Sequence, residues 1–150
     1  MATYSFLDVN ASIAGPGGSF QIGSGAGAAE EGITVADTED RNTMTIGADG
    51  EGMHSLHAGK SGNVAVRLLK TSPVNAQLEA LFNLQAQSSA SWGQNVITIN
   101  DVARGDVITC RGVAFTKRPD IVYAKQGNTN EWMFQAIKID RVLGTGSPEA

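Results

Sequence analysis

The chain has little of what most binding or catalytic proteins are built from. Cys110 is the one cysteine in 150 residues, which excludes an internal disulfide and any cysteine-rich metal site. Aromatic residues make up 6% and charged residues 17%, the latter below the roughly 25% of an average domain. No apolar run approaches the roughly 18 residues needed to cross a bilayer. The start, MATYSFLDVN, has neither a basic stretch nor an apolar core, so no secretory signal is read there and the expected product is soluble and cytosolic at synthesis. A net charge of -4 and a pI near 5.0 argue against a protein that grips nucleic acid, which needs a basic stripe. An acidic surface still suits something that DNA passes without sticking.

Glycine, by contrast, is abundant, with 18 copies against a usual ~7%. Many turns and few charges point to β structure in one domain over residues 1–150. Tyr4–Ile13 alternates, with Leu7, Val9, Ala11 and Ile13 on one face, as a half-buried strand does. GPGG breaks it, and Ser19–Ile22 returns as a hairpin. Ile33–Ala36 and Thr43–Ile46 read as strands joined through TEDRN, and Val64–Lys70 as a strong strand. One helix follows over Val74–Gln85: Ser72 can cap it, Pro73 suits its first position, and Val74, Leu78, Leu81 and Phe82 form an apolar stripe. Further strands are expected at Val96–Ile99, Asp106–Cys110, Val113–Thr116 running on to Ile121–Ala124, and Trp132–Val142. The GNTN turn at Gly127–Asn130 makes the last two an antiparallel pair. Trp132, Phe134 and Ala136 lie on one face of the final strand and Met133, Ile137 and Ile139 on the other, which implies cover on both sides. The fold class is mainly β, a sandwich or barrel of roughly eight to ten strands with one flanking helix. A loose tail is expected over 144–150.

Several motifs imitate chemistry. Gly59-Lys60-Ser61 ends like a phosphate-binding loop, but His54 stands where its first glycine belongs and a strand follows where a helix is required. His54 and His57, the two histidines, would point to opposite faces of a strand, and Asp49 and Glu51 would have to complete a zinc site. Met53 occupies a ligand position in the calcium-loop pattern. GSGAGAAEEG lacks the third glycine and the helix of a dinucleotide fingerprint. Cys110 lies in an apolar strand, VITCRGV, with no base nearby in sequence. Asn10-Ala11-Ser12 is a glycosylation sequon within a strand. No catalytic residue, metal site or cofactor is assigned, and an enzyme is not expected. What calls for explanation is the polar, glycine-rich segment of about 17 residues from Gly47 to Asn63, longer than passive connections usually are.

ITVADTEDRNTMTIGADGEGMHSLHAGKSGNVAVRLLKTSPVNAQLEALFNLQ, with NVITINDV, ITCRGVAFTKRPD and NEWMFQAIKID, resembles the tail tube proteins of contractile-tailed bacteriophages, a small phage structural-protein family. The resemblance covers nearly the whole chain. It implies hexameric rings stacked into a hollow virion tube, gripped by a sheath. DNA follows the tape-measure protein through the lumen, and terminator and baseplate proteins close the ends. Assembly would occur in the host cytoplasm, with no membrane anchoring. The loop at about 40–62 then becomes a polymerisation arm. Glu39, Asp40, Arg41, Asp49, Glu51, His54, His57 and Lys60 are assigned to intersubunit and inter-ring contacts. Asp37 and Glu39 are the candidates for an acidic lumen, and the helix for the sheath side. A secretion-system tube, another tail or baseplate component, and a carbohydrate-binding β-module are the alternatives.

Overall fold

The structure, a computed structural model, describes residues 3–23 and 28–144. Among the described residues, nine strands and one α-helix follow a 3-10 turn at Phe6–Asp8. They are β1 (Val9–Gly15), β2 (Gly18–Gln21), β3 (Ala28–Asp37), β4 (Asn42–Ile46), β5 (Gly52–Leu56), β6 (Gly62–Leu69), α1 (Val74–Gln85), β7 (Asn95–Asp101), β8 (Asp106–Lys117) and β9 (Thr129–Val142). Seven strands form one antiparallel sheet in the order β2-β1-β7-β8-β9-β6-β3, and β4 pairs with β5 alone. The large sheet is open, ending at β2 and β3, so the barrel alternative is corrected. β1 and β6 are far apart in that order, yet Val9, Ala11 and Ile13 share one core with Val64, Val66 and Leu68. The sheet therefore curls around its apolar face.

Helix α1 has the bounds expected of it, and Val74, Leu78 and Leu81 are buried on its core side. Each such side chain contributes about 1.5–3 kcal/mol. Its start is pinned twice: Ser72 Oγ accepts from Val74 N at 3.3 Å, and Trp132 Nε1 donates to Asn75 Oδ1 at 3.0 Å. Phe115 lies at the centre of an aromatic cluster, with ring centroids 4.9 Å from Phe134, 5.4 Å from Phe82 and 6.0 Å from Trp132.

The structure departs from the sequence reading in four further places. Leu7 belongs to the 3-10 turn and is exposed, because β1 begins only at Val9. TEDRN joins β3 to β4 as expected, but the two strands do not pair with each other: β3 pairs with β6, and β4 with β5. Ile121–Ala124 forms no strand. Register pairing of β8 with β9 ends at Lys117–Met133, Pro119 has no N–H to donate, and Ile121, Val122 and Tyr123 are exposed. The β8–β9 link therefore runs through residues 118–128, with the Lys70 amine donating to Val122 O and lying 4.2 Å over the Tyr123 ring.

The fourth difference concerns β9. Ala136 and Ile139 are both buried while Ile137 is exposed, and on β8 Cys110 and Val113 are both buried. Cys110 faces Ile139 and Val113 faces Ala136, so the two strands change their inward parity together. Gly112, with φ of +63°, makes this step, and the Ile137 side chain lies against it. A local irregularity, rather than cover on both faces, explains the mixed pattern in this strand.

Candidate assembly surfaces

The segment between β3 and β6 is a projecting β-hairpin arm: β4 answers to the strand expected at Thr43–Ile46, while β5 lies in the stretch from Gly47 to Asn63 expected to be mostly irregular. Its root is closed by paired hydroxyls, Thr38 Oγ1 and Ser61 Oγ at 2.9 Å, and by Thr38 N donating to Ser61 O. Farther out, Arg41 Nε donates to His57 O at 2.9 Å while Arg41 O accepts from His57 N. At the tip, Gly47 N donates to Glu51 O, Asp49 Oδ1 accepts from Glu51 N, and Gly50 takes a φ of +87°. That conformation suits glycine because a Cβ would clash with the backbone.

Register pairs sort the arm into two faces, since opposed residues point the same way. Met44 opposes His54, Asn42 opposes Leu56 and Ile46 opposes Gly52. Met44, Ile46 and Leu56 therefore share a face, and they are 59%, 55% and 81% exposed. Thr43, Thr45, Met53, Ser55 and His57 occupy the other. His54 accepts at Nδ1 from Asn42 Nδ2 at 3.2 Å, and His57 Nε2 lies 2.6 Å from Thr43 Oγ1. The histidines thus serve the hairpin from opposite faces. No cluster of three or more His, Cys, Asp or Glu able to hold a metal forms among the described residues.

The remaining assigned residues lie at the root or in solvent. Asp37 accepts from Arg141 Nη2 at 3.3 Å, and Lys60 Nζ reaches Asp140 Oδ1 at 3.4 Å. The other oxygen of Asp140 receives Arg111 at 3.2 Å. Glu39 lies over Gly59, where an added Cβ would collide with its carboxylate. Asp40 and Glu51 are exposed. The structure therefore draws Asp37 and Lys60 into ion pairs within the chain and leaves Asp49 and Glu51 at the free tip. The sequence reading missed the apolar arm residues, although the alternation in TMTI and MHSL was the available signal.

A second exposed surface was also missed. The starts of β1 and β8 and the ends of β7 and β9 meet at one end of the sheet. Tyr4, Leu7, Val102, Val107, Val142 and Leu143 are all exposed there. Val102 N donates to Asp8 O, Val107 faces Val142 across the ladder, and Arg104 lies 5.8 Å over the Tyr4 ring. A cleft of about 370 Å³ opens beside them, lined by Phe6, Ile33, Ile99, Ile108 and Leu143 among others. Elsewhere, Cys110 is buried within the sheet, and burial pushes its thiol up to about 11 against a lowering by Arg141. A thiol so held is a poor nucleophile at neutral pH. No helix among the described residues is long and apolar enough to cross a membrane.

A curled antiparallel sheet, one covering helix and a projecting two-stranded arm make up the subunit. Comparison with known proteins places it: residues 1–144 match the family described as the bacteriophage PhiTE tail tube protein, and the chain belongs to that family. The family is structural and not enzymatic, and its place is the virion tail. No curated protein matches the sequence. Among solved structures, the fold is similar to the sheath/tube terminator of PVC, an extracellular contractile injection system, in the extended state. The TM-score is 0.64 at 12% identity, covering 95% of this chain and 98% of that one. It is also similar to the tail of an empty GTA particle refined with helical C6 symmetry, at TM-score 0.63 and 11% identity, covering 95% and 100%. The PVC sheath–tube complex in the extended state gives 0.57 and 11%, covering 89% and 88%.

Proposed function

We propose that this chain builds the inner tube of a phage tail: copies close into hexameric rings, and the rings stack around a lumen through which DNA reaches the host. The observation that carries this reading is the β4–β5 arm, a two-stranded hairpin standing on its own on a tail tube fold. Isolated two-stranded hairpins are marginal in water, and all five residues of β4 and four of the five of β5 are exposed. A neighbouring copy supplies the missing packing. The arm's residues 38–47 span at most roughly 30 Å when extended, most of the roughly 35 Å diameter of a domain this size.

In this reading Glu39, Asp40, Arg41, Asp49, Glu51, His54, His57 and Lys60 belong to the arm and root that meet other subunits. Asp37 and Glu39 are assigned to the lumen, where acidic groups repel phosphate and let DNA slide. The ion pair with Arg141 weakens the field that Asp37 offers. The exposed Gln77 and Asn83 of α1 face the sheath. The tape-measure protein occupies the lumen before ejection, terminator and baseplate proteins meet the tube ends, and assembly takes place in the host cytoplasm.

Negative-stain microscopy of the concentrated protein tests the reading, with rings or tubes about 100 Å wide expected, a few domain diameters across. Excising residues 42–56 and joining Arg41 to His57 through a tight Asn-Gly turn should leave a folded subunit that makes no tubes. Normal tubes from that variant would refute the arm's role. A tube-terminator role is the second reading, favoured by the likeness to the PVC terminator; single rings that never stack would select it.

A further inference from the structure

The arm and the apolar end of the sheet are two exposed apolar surfaces on one chain. We infer that they are complementary: Met44, Ile46 and Leu56 of one copy dock on the patch around Val102 and Val142 of the next. This deepens the tube reading and rests on it.

The first reason is the chemistry of the arm. Its charged residues lie at the tip and root, where Asp37 and Lys60 are already paired within their own chain. Its middle presents three aliphatic or thioether side chains on one face. A contact made there buries apolar area, which is the dominant favourable term in association. The acceptor must be apolar to match.

The patch meets that requirement. Leu7, Val102 and Val142 are 81%, 68% and 67% exposed, and grouped apolar exposure of this kind marks an interaction site. The neighbouring cleft is apolar and large enough to admit aliphatic side chains from outside. Arg104 lies at the patch, over the Tyr4 ring, where Asp49 and Glu51 of an incoming arm tip would meet it, whereas Arg141 at the cleft is already paired with Asp37. Of the acids beside the patch, Asp101 accepts from Arg104 N and Asp106 from Gly144 N.

Donor and acceptor surfaces are different parts of the chain, so the contact is heterologous. Each copy offers one arm and receives another, and such a contact propagates until it closes a ring or extends a helix. A second copy is thus the occupant that one chain's surfaces specify.

Two monovalent variants test this, Leu56→Cys and Val142→Cys. Mixed at assembling concentration and oxidised, they should yield a covalent dimer containing one of each. In parallel, Leu56→Asp and Val142→Asp should each raise the concentration needed for assembly by about tenfold or more, since a charge would have to be buried in an apolar contact. Both sites are exposed in the subunit, and circular dichroism should show the fold unchanged. If Leu56→Asp blocks assembly while Val142→Asp assembles normally, the arm docks elsewhere and the patch inference fails, with the tube reading intact. Slow alkylation of the Val142→Cys thiol in the dilute monomer would also overturn it, because the chain's own terminal residues would then cover the patch. If the wild type forms neither rings nor tubes, the tube reading itself fails.

Discussion

The side-chain amides of Gln85 and Asn95 exchange two hydrogen bonds, Gln85 Nε2 to Asn95 Oδ1 at 2.7 Å and Asn95 Nδ2 to Gln85 Oε1 at 2.8 Å, with both residues fully buried. Gln85 also donates to Pro16 O, and Asn95 to Val113 O. The end of α1 is thereby tied to the β1–β2 turn, to β7 and to β8. A buried amide left unpaired costs more than the bond itself contributes. Gln85→Leu or Asn95→Leu should each destabilise the subunit by about 1–3 kcal/mol in urea unfolding. The double variant should lose less than the two singles combined, because it removes both stranded amides.

Gly112 supplies the joint step in β8 and β9. Ala there would hold a positive φ and press on Ile137, with Cβ contacts of 3.1 Å. Gly112→Ala should lower stability by about 1–2 kcal/mol, seen as a fall in Tm. Gly112→Ala combined with Ile137→Ala should recover part of that loss, since the steric share is relieved and the backbone share is not.

Phe115 joins α1 to the sheet through four aromatic neighbours. Phe115→Ala should cost about 3–5 kcal/mol by leaving a cavity. Trp92 and Trp132 lie within the cluster, so their fluorescence should shift as well.

Cys110 supplies a pH signature. Its thiol stays protonated in the fold up to about 11, against 9.0 ordinarily. Above the ordinary value the unfolded chain releases this proton while the native state keeps it, so stability falls as pH rises between those values. The expected loss is roughly 1–3 kcal/mol in urea titrations across that range. Cys110→Ala should remove this thiol's share of the dependence. At pH 8, alkylation of the native thiol should be far slower than that of the unfolded chain.

Much of this fold can be read from local sequence. Pro73 and the stripe Val74, Leu78 and Leu81 determine α1 with its bounds, because capping and 3.6-residue periodicity act within a few residues. Alternation determines β1, β6 and β7, and GPGG their first turn, for the same reason. The extent and order of the motifs also carried the family. Tertiary structure alone decided the rest. Ile121–Ala124 has the residues of a strand but no partner edge to pair with. Ile137 is exposed and Ile139 buried because Gly112, on another strand, shifts the parity of both. Met44, Ile46 and Leu56 follow the same alternation as core residues, yet they face solvent because β4 and β5 pair with each other and not with the large sheet. Burial depends on which strand lies alongside, and that neighbour is chosen by contacts far apart in the chain.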